Sequence, residues 1–267
     1  MFIILFLIAI AVGALGALLG IGGGIITVPL LTVLFHIPIK AAIGASLISV
    51  IATSTAAGAV YAGQSLTHTR LGMVLAVGTT LGALTGGLTA AFLSPRVLQG
   101  MFAVLLPFVM FSMRQLPSDE AARPALGALN TAYMDPFTGR VVRYGVRRLP
   151  LGWSTAFIAG NLSGLLGVGG GFINVPIMSV VMGVPLKATI ATSNFMVGMT
   201  AATSALVYYA KGLIDPQVAV PIALGVLVGA QLGSWFGTRA RSLTLKRLFQ
   251  ILLLILAIQM AWKAITG

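Results

Sequence analysis

Sliding the chain against itself from Gly13 to Gly160, a register of 147 residues, aligns GALGALLGIGGGIITVPLL with GNLSGLLGVGGGFINVPIM without a gap. The same register pairs Pro38 with Pro185, Lys40 with Lys187, Ser46 with Ser193, Thr53 with Thr200 and Tyr61 with Tyr208. It also pairs the series Gly78, Gly82, Gly86 with Gly225, Gly229, Gly233. About 21 of the 49 aligned positions from Gly13 to Tyr61 are identical, which marks duplication within one chain. Whatever this sequence folds into is therefore made of two copies of one unit: residues 1–113 and 151–267, joined by residues 114–150.

The solvent for that unit follows from composition. Hydrophobic residues make up 58% of the chain and charged residues 7%, with a mean hydropathy of +1.05, outside the balance of a soluble domain. Apolar stretches near the ~20 residues that carry a helix across the bilayer recur along the chain. They predict an all-α polytopic membrane protein with full helices at 41–62, 71–92 and 97–113, then at 187–210, 217–237 and 244–265. The first 19 residues resemble a signal peptide but lack a basic start and run into the repeated motif, so they are expected to belong to the mature fold.

Each half opens with an apolar run that breaks at a glycine cluster and resumes for about a dozen residues. Twelve helical residues rise only ~18 Å, too little to span, so residues 24–35 and 171–182 are expected to form one arm of a broken hairpin.

The formal charge of +12 points to topology rather than nucleic acid, because the Lys and Arg sit in short joins and no basic helix or stacking surface accompanies them. Arg114, Arg123, Arg140, Arg143, Arg147 and Arg148 place residues 114–150, a turn-rich linker, in the cytoplasm. If the second hairpin returns to its starting side, the join carrying Arg239, Arg241, Lys246 and Arg247 is also cytoplasmic. The matching join of the first half, with Arg96 alone, then faces outward, which is the signature of inverted repeats.

Chemistry concentrates at the breaks. At Gly22, Gly23, Gly24 and at Gly169, Gly170, Gly171 the backbone amides lose their helical partners, and in lipid such a break must be buried in protein or line a wet cavity. A helix resuming after the break turns its partly positive end toward that cavity, and two such ends facing each other suit an anion. The alternative is that these glycines only allow tight helix crossing; Gly78, Gly82, Gly86 and their partners are read that way.

Thr27, Asn174, Asn161 and Ser163 flank the breaks as candidate donors. Ser46, Ser49 and Thr53 share one helix face, with Ser193, Asn194 and Thr200 in the equivalent region. Interhelical hydrogen bonding without function is the competing reading of that face. Lys40 and Lys187 lie near the membrane surface, where they snorkel or draw anions into opposite vestibules.

His36 and His68 have no partner His, and Cys is absent, so no metal site or cofactor is expected. The four acids, Asp119, Glu120, Asp135 and Asp215, fall in loops, which leaves no buried carboxylate and favours an anionic substrate. No Ser/His/Asp set can be assembled, so the chain is not read as an enzyme.

The paired motifs GIGGGIITVPLL and GVGGGFINVPIM, each near the start of a half, resemble the repeated signature of the TauE/SafE sulfite exporter family over nearly the whole chain. The resemblance implies a bacterial inner-membrane carrier of sulfite, sulfonates or related sulfur-containing anions. The expectation is a secondary transporter working by alternating access, in the direction of export, with a passive anion channel or a membrane scaffold as alternatives. Expected partners are a small anion, membrane lipid and, as a compatible assembly, a second copy in a homodimer.

Overall fold

The computed structural model describes residues 2–90, 92–114, 128–135 and 139–237, together with 254, 257–259 and 262. Helix α1 (Phe2–Leu19) is followed after the first glycine cluster by α2 (Gly24–Leu34), then by α3 (Ile39–Gly63), α4 (Thr69–Ala90) and α5 (Pro95–Arg114). The second half runs α6 (Leu149–Leu166), a break, α7 (Gly171–Pro176) continued by a π-helical turn (Ile177–Val181), α8 (Leu186–Ala210) and α9 (Pro216–Gly237). The predicted helix at 244–265 lies largely outside the described residues. Five of these helices are long and apolar enough to cross a membrane: α1, α3, α4, α8 and α9 up to Phe236. Large apolar side chains such as Phe92, Val104, Leu206 and Tyr209 are exposed on the outside, as expected of a surface whose solvent is acyl chain.

The joining segment, expected as a turn-rich linker, adds one small sheet to the helical architecture. Strands β1 (Ala128–Met134) and β2 (Val141–Val146) pair antiparallel, with Thr131 opposite Tyr144 and Met134 opposite Val141. The hairpin is docked, not free. The His68 ring lies edge-on to Tyr144 at 5.9 Å and its Nε2 is 3.0 Å from the Leu129 carbonyl oxygen, while Lys187 Nζ meets Asp135 Oδ1 at 2.7 Å.

Those contacts define one face of the bundle, the linker side. The Arg147 amide donates to the Met182 carbonyl at 3.0 Å, so the end of the second hairpin lies beside its own beginning. Helix α8 starts on the linker side beside Asp135, whereas α3 starts at the opposite end, where Gly44 packs on the Leu213 carbonyl.

Glycine ladders line the closest helix contacts. A Cβ on Gly82 would overlap the Phe157 carbonyl oxygen, and one on Gly86 that of Asn161; at Gly229 and Gly233 the same holds for the Ile10 and Ala14 carbonyls. Thus the ladder on α4 seats α6, and the ladder on α9 seats α1. Spacings of four put glycines on one helix face, and without side chains the partner backbone comes into contact. The two halves interlock, each holding the other's hairpin.

Candidate functional site

Both breaks are built the same way. Gly20, Gly22 and Gly23 have φ of 70°, 78° and 74°, and Gly167, Gly169 and Gly170 have φ of 69°, 82° and 77°. An L side chain in that left-handed region costs ~1–2 kcal/mol, so a segment with three such residues in four is workable chiefly as glycine. The chain reverses and the helix restarts. The first amides to bond back are Ile26 and Thr27, to the Gly23 carbonyl at 3.0 and 3.1 Å, and Ile173 and Asn174, to that of Gly170 at 3.2 Å. The amides of Gly24 and Ile25, and of Gly171 and Phe172, precede those bonds and mark the partly positive helix starts.

The breaks lie against each other inside the bundle. A Cβ on Gly24 would overlap the Gly167 carbonyl oxygen, and a Cβ on Gly171 that of Gly20. Ser46 Oγ donates to the Gly167 oxygen at 2.8 Å, and Ser193 Oγ to the Gly20 oxygen at 2.6 Å, so each serine braces the break of the other half. Val50 and Val197 occupy the space between. A Cβ on Gly22 would stand 2.7 Å from Val197 Cγ1 and 3.0 Å from Val50 Cγ1; on Gly169 the figures are 2.7 and 2.9 Å. The two triplets therefore face one another, and the middle is closed by valine rather than left as a chamber.

The other residues singled out in the sequence divide into three groups. Thr27 Oγ1 donates to the Gly23 carbonyl at 3.1 Å, and Thr53 Oγ1 to that of Ser49 at 2.9 Å, both within their own helix. Thr200 Oγ1 donates across to Thr79 Oγ1 at 2.9 Å, and Asn194 Nδ2 to the Ala17 and Ile190 carbonyls at 3.1 Å. Asn161 is turned to α4, where its Nδ2 meets Thr85 Oγ1 at 3.0 Å. By contrast Ser163 Oγ, Asn174 Nδ2 and Asn194 Oδ1 are buried with no hydrogen-bond partner among the described residues. Lys187 is not an isolated cation at a mouth: it is paired with Asp135 of the linker. Lys40 stands at the other end of the bundle, in the first turn of α3.

Some participants were not singled out from sequence. Val50 and Val197 match in the repeat, but a valine in an apolar helix carries no signal of its own. Tyr61 and Tyr208 were visible as a matched pair; their hydroxyls donate to the Ala17 and Leu165 carbonyls at 3.2 and 3.3 Å, bracing the last turns before the breaks. His68 was set aside as isolated, yet it is one of the points on which the β-hairpin rests.

Apolar spanning helices, interlocked halves and buried facing helix breaks define a multi-pass membrane protein of the transporter type. The chain belongs to the sulfite exporter TauE/SafE family, whose model matches residues 5–260. It is 26% identical to the probable membrane transporter protein YunE of Bacillus subtilis over 99% of this chain and 98% of that one. It is 28% identical to a probable membrane transporter protein of Xylella fastidiosa over 94% of this chain and 91% of that one. Over a shorter stretch, 32% of this chain and 19% of the other, it is 32% identical to the sulfite exporter TauE/SafE family protein 6 of Arabidopsis thaliana. No solved structure matches.

Proposed function

We propose that this membrane transporter moves a small sulfur-containing anion, sulfite or a short sulfonate, out across the bacterial inner membrane by alternating access. The observation that carries the reading is the pair of buried breaks set against each other, with the helix starts at Gly24 and Gly171 in the interior. Fixed amide dipoles in a medium without water attract negative charge at no cost in reorganisation.

In this reading the halves are inverted repeats, residues 114–150 are cytoplasmic, and the site is shared by Gly22–Gly24 with Thr27, Gly169–Gly171 with Asn174, and the polar face of Ser46, Thr53, Ser193, Asn194 and Thr200. Val50 and Val197 pack between the two breaks, so in this reading admitting an anion requires the halves to part there. The name of the family supports the class of anion. The outward direction rests on that name alone.

The test is uptake into proteoliposomes of sulfite, sulfate, thiosulfate and short sulfonates, with and without a pH gradient. Saturable flux of a sulfur anion, abolished by omitting the protein, is expected. Flux that never saturates and follows voltage assigns the protein as a channel, and absence of flux for every anion defeats the reading.

A further inference from the structure

The two breaks share a backbone but not a set of side chains. Opposite Ser163 the first half has Gly16, opposite Asn174 it has Thr27, and opposite Asn194 it has Leu47. Thr27 spends its hydroxyl on the Gly23 carbonyl, and the void it lines, of about 10 Å³ with otherwise apolar walls, is at the limit for one water molecule. Ser163 and Asn174 are 0% and 3% exposed, and Ser163 Oγ and Asn174 Nδ2 have no partner among the described residues. Both adjoin Gly170: Ser163 Cβ lies 3.5 Å from where a Gly170 Cβ would stand, and the Asn174 amide bonds the Gly170 carbonyl at 3.2 Å.

An unmade hydrogen bond is expensive in such a place. A buried donor without an acceptor costs ~1–3 kcal/mol, and lipid provides no water to relieve it. Two such groups beside one break, with none of that kind beside the other among the described residues, are best explained by an acceptor that comes and goes. Asn194 is different in sign, since its unpartnered atom is the acceptor Oδ1 and its amide nitrogen is already engaged.

Resting on the transport reading above, we infer that the oxyanion is held asymmetrically, by Ser163 Oγ and Asn174 Nδ2 at the second break, while the first break is a structural counterpart. The ligand class is a compact oxyanion with two or more oxygens on one central atom, as in sulfite or a sulfonate head. Ser163 offers one O–H and Asn174 two N–H groups, enough for two oxygens at once. All are neutral, so the anion is held by hydrogen bonds without an ion pair, which leaves it free to depart.

Sulfite and methanesulfonate flux is measured in proteoliposomes for wild type, Asn174→Asp, Ser163→Ala and Thr27→Val at equal protein. Asn174→Asp keeps shape while replacing the donor by a negative charge, and is expected to lower flux by at least about tenfold through like-charge repulsion. Ser163→Ala is expected to lower it on the order of fivefold, the worth of one hydrogen bond, and Thr27→Val by a smaller factor than Ser163→Ala. Active wild type with Asn174→Asp undiminished, or with Thr27→Val losing as much as Ser163→Ala, overturns the asymmetric site and leaves the transport reading standing.

Thermal unfolding of the same detergent-solubilised proteins with added sulfite supplies a second readout. Stabilisation of wild type that Asn174→Asp lacks supports the site even where flux is nil, in which case transport alone fails. Neither flux nor stabilisation in wild type overturns both.

Discussion

Glycine does two different jobs in this protein. At the middle of each triplet it is needed for its backbone: Gly23 and Gly170 have left-handed φ, and a Cβ on Gly23 would meet no described atom closer than 3.4 Å. In the ladders it is needed for its smallness: Gly82 and Gly229 lie inside ordinary helices, yet a Cβ on either would overlap a carbonyl of the neighbouring helix. The difference teaches that the ladders hold the bundle together while the triplets shape its interior. Substitution should therefore separate stability from transport.

The largest effect is expected at the ladders. Gly82→Leu or Gly229→Leu would push α4 from α6 or α9 from α1, and overpacking against rigid backbone costs ~1–3 kcal/mol or more per site. Loss of the monodisperse species in detergent gel filtration is the expected result; a well-folded Gly82→Leu protein breaks the distinction. Next come Gly23→Val and Gly170→Val, which meet backbone strain of ~1–3 kcal/mol, with ordinary contact distances for a Cβ at Gly23. These should fold and insert but lose anion flux by at least about tenfold, and unchanged flux at equal expression removes the triplets from the site.

A smaller effect is expected where no glycine is involved. Asp135→Asn removes the charge that holds the β-hairpin to Lys187, a pair whose side chains are 9% and 20% exposed. Limited proteolysis of the linker should quicken by roughly threefold, consistent with the ~1 kcal/mol upper range of partly solvated pairs. High salt should shrink the difference between wild type and variant. Smallest is Gly100→Ala on α5, where a Cβ meets no atom of the described residues within 4 Å. There the gain in helix propensity, ~0.5–1 kcal/mol, should raise the melting temperature slightly, and a loss would mean that an unseen neighbour lies against it.

Much of this was legible in the residues. Apolar length placed the helices predicted at 71–92 and 187–210 within two residues of α4 (Thr69–Ala90) and α8 (Leu186–Ala210), because hydrocarbon thickness sets a minimum length that sequence displays directly. The breaks were legible because only glycine tolerates successive left-handed residues. The hairpin of Ala128–Met134 and Val141–Val146 was not. Two short strands in a turn-rich, charged segment carry little periodicity, and what holds them is the packing of Tyr144 on His68 and of Asp135 on Lys187, residues distant in the chain.

By itself, then, the sequence determined that there are two like units, that each is lipid-soluble, and that each is interrupted where three glycines stand together. Only the tertiary structure decided that Gly82 meets Phe157 rather than the equivalent Ile10, so that the halves exchange hairpins, and that Ser46 and Ser193 each reach the other half's break. The reason is the duplication: a ladder of glycines accepts either copy of the same small-faced helix, so contacts within a half and between halves read identically in the residues. Three-dimensional packing alone distinguishes them, and it also leaves Ser163 Oγ and Asn174 Nδ2 without a hydrogen-bond partner among the described residues, whereas Thr27 is bonded to Gly23.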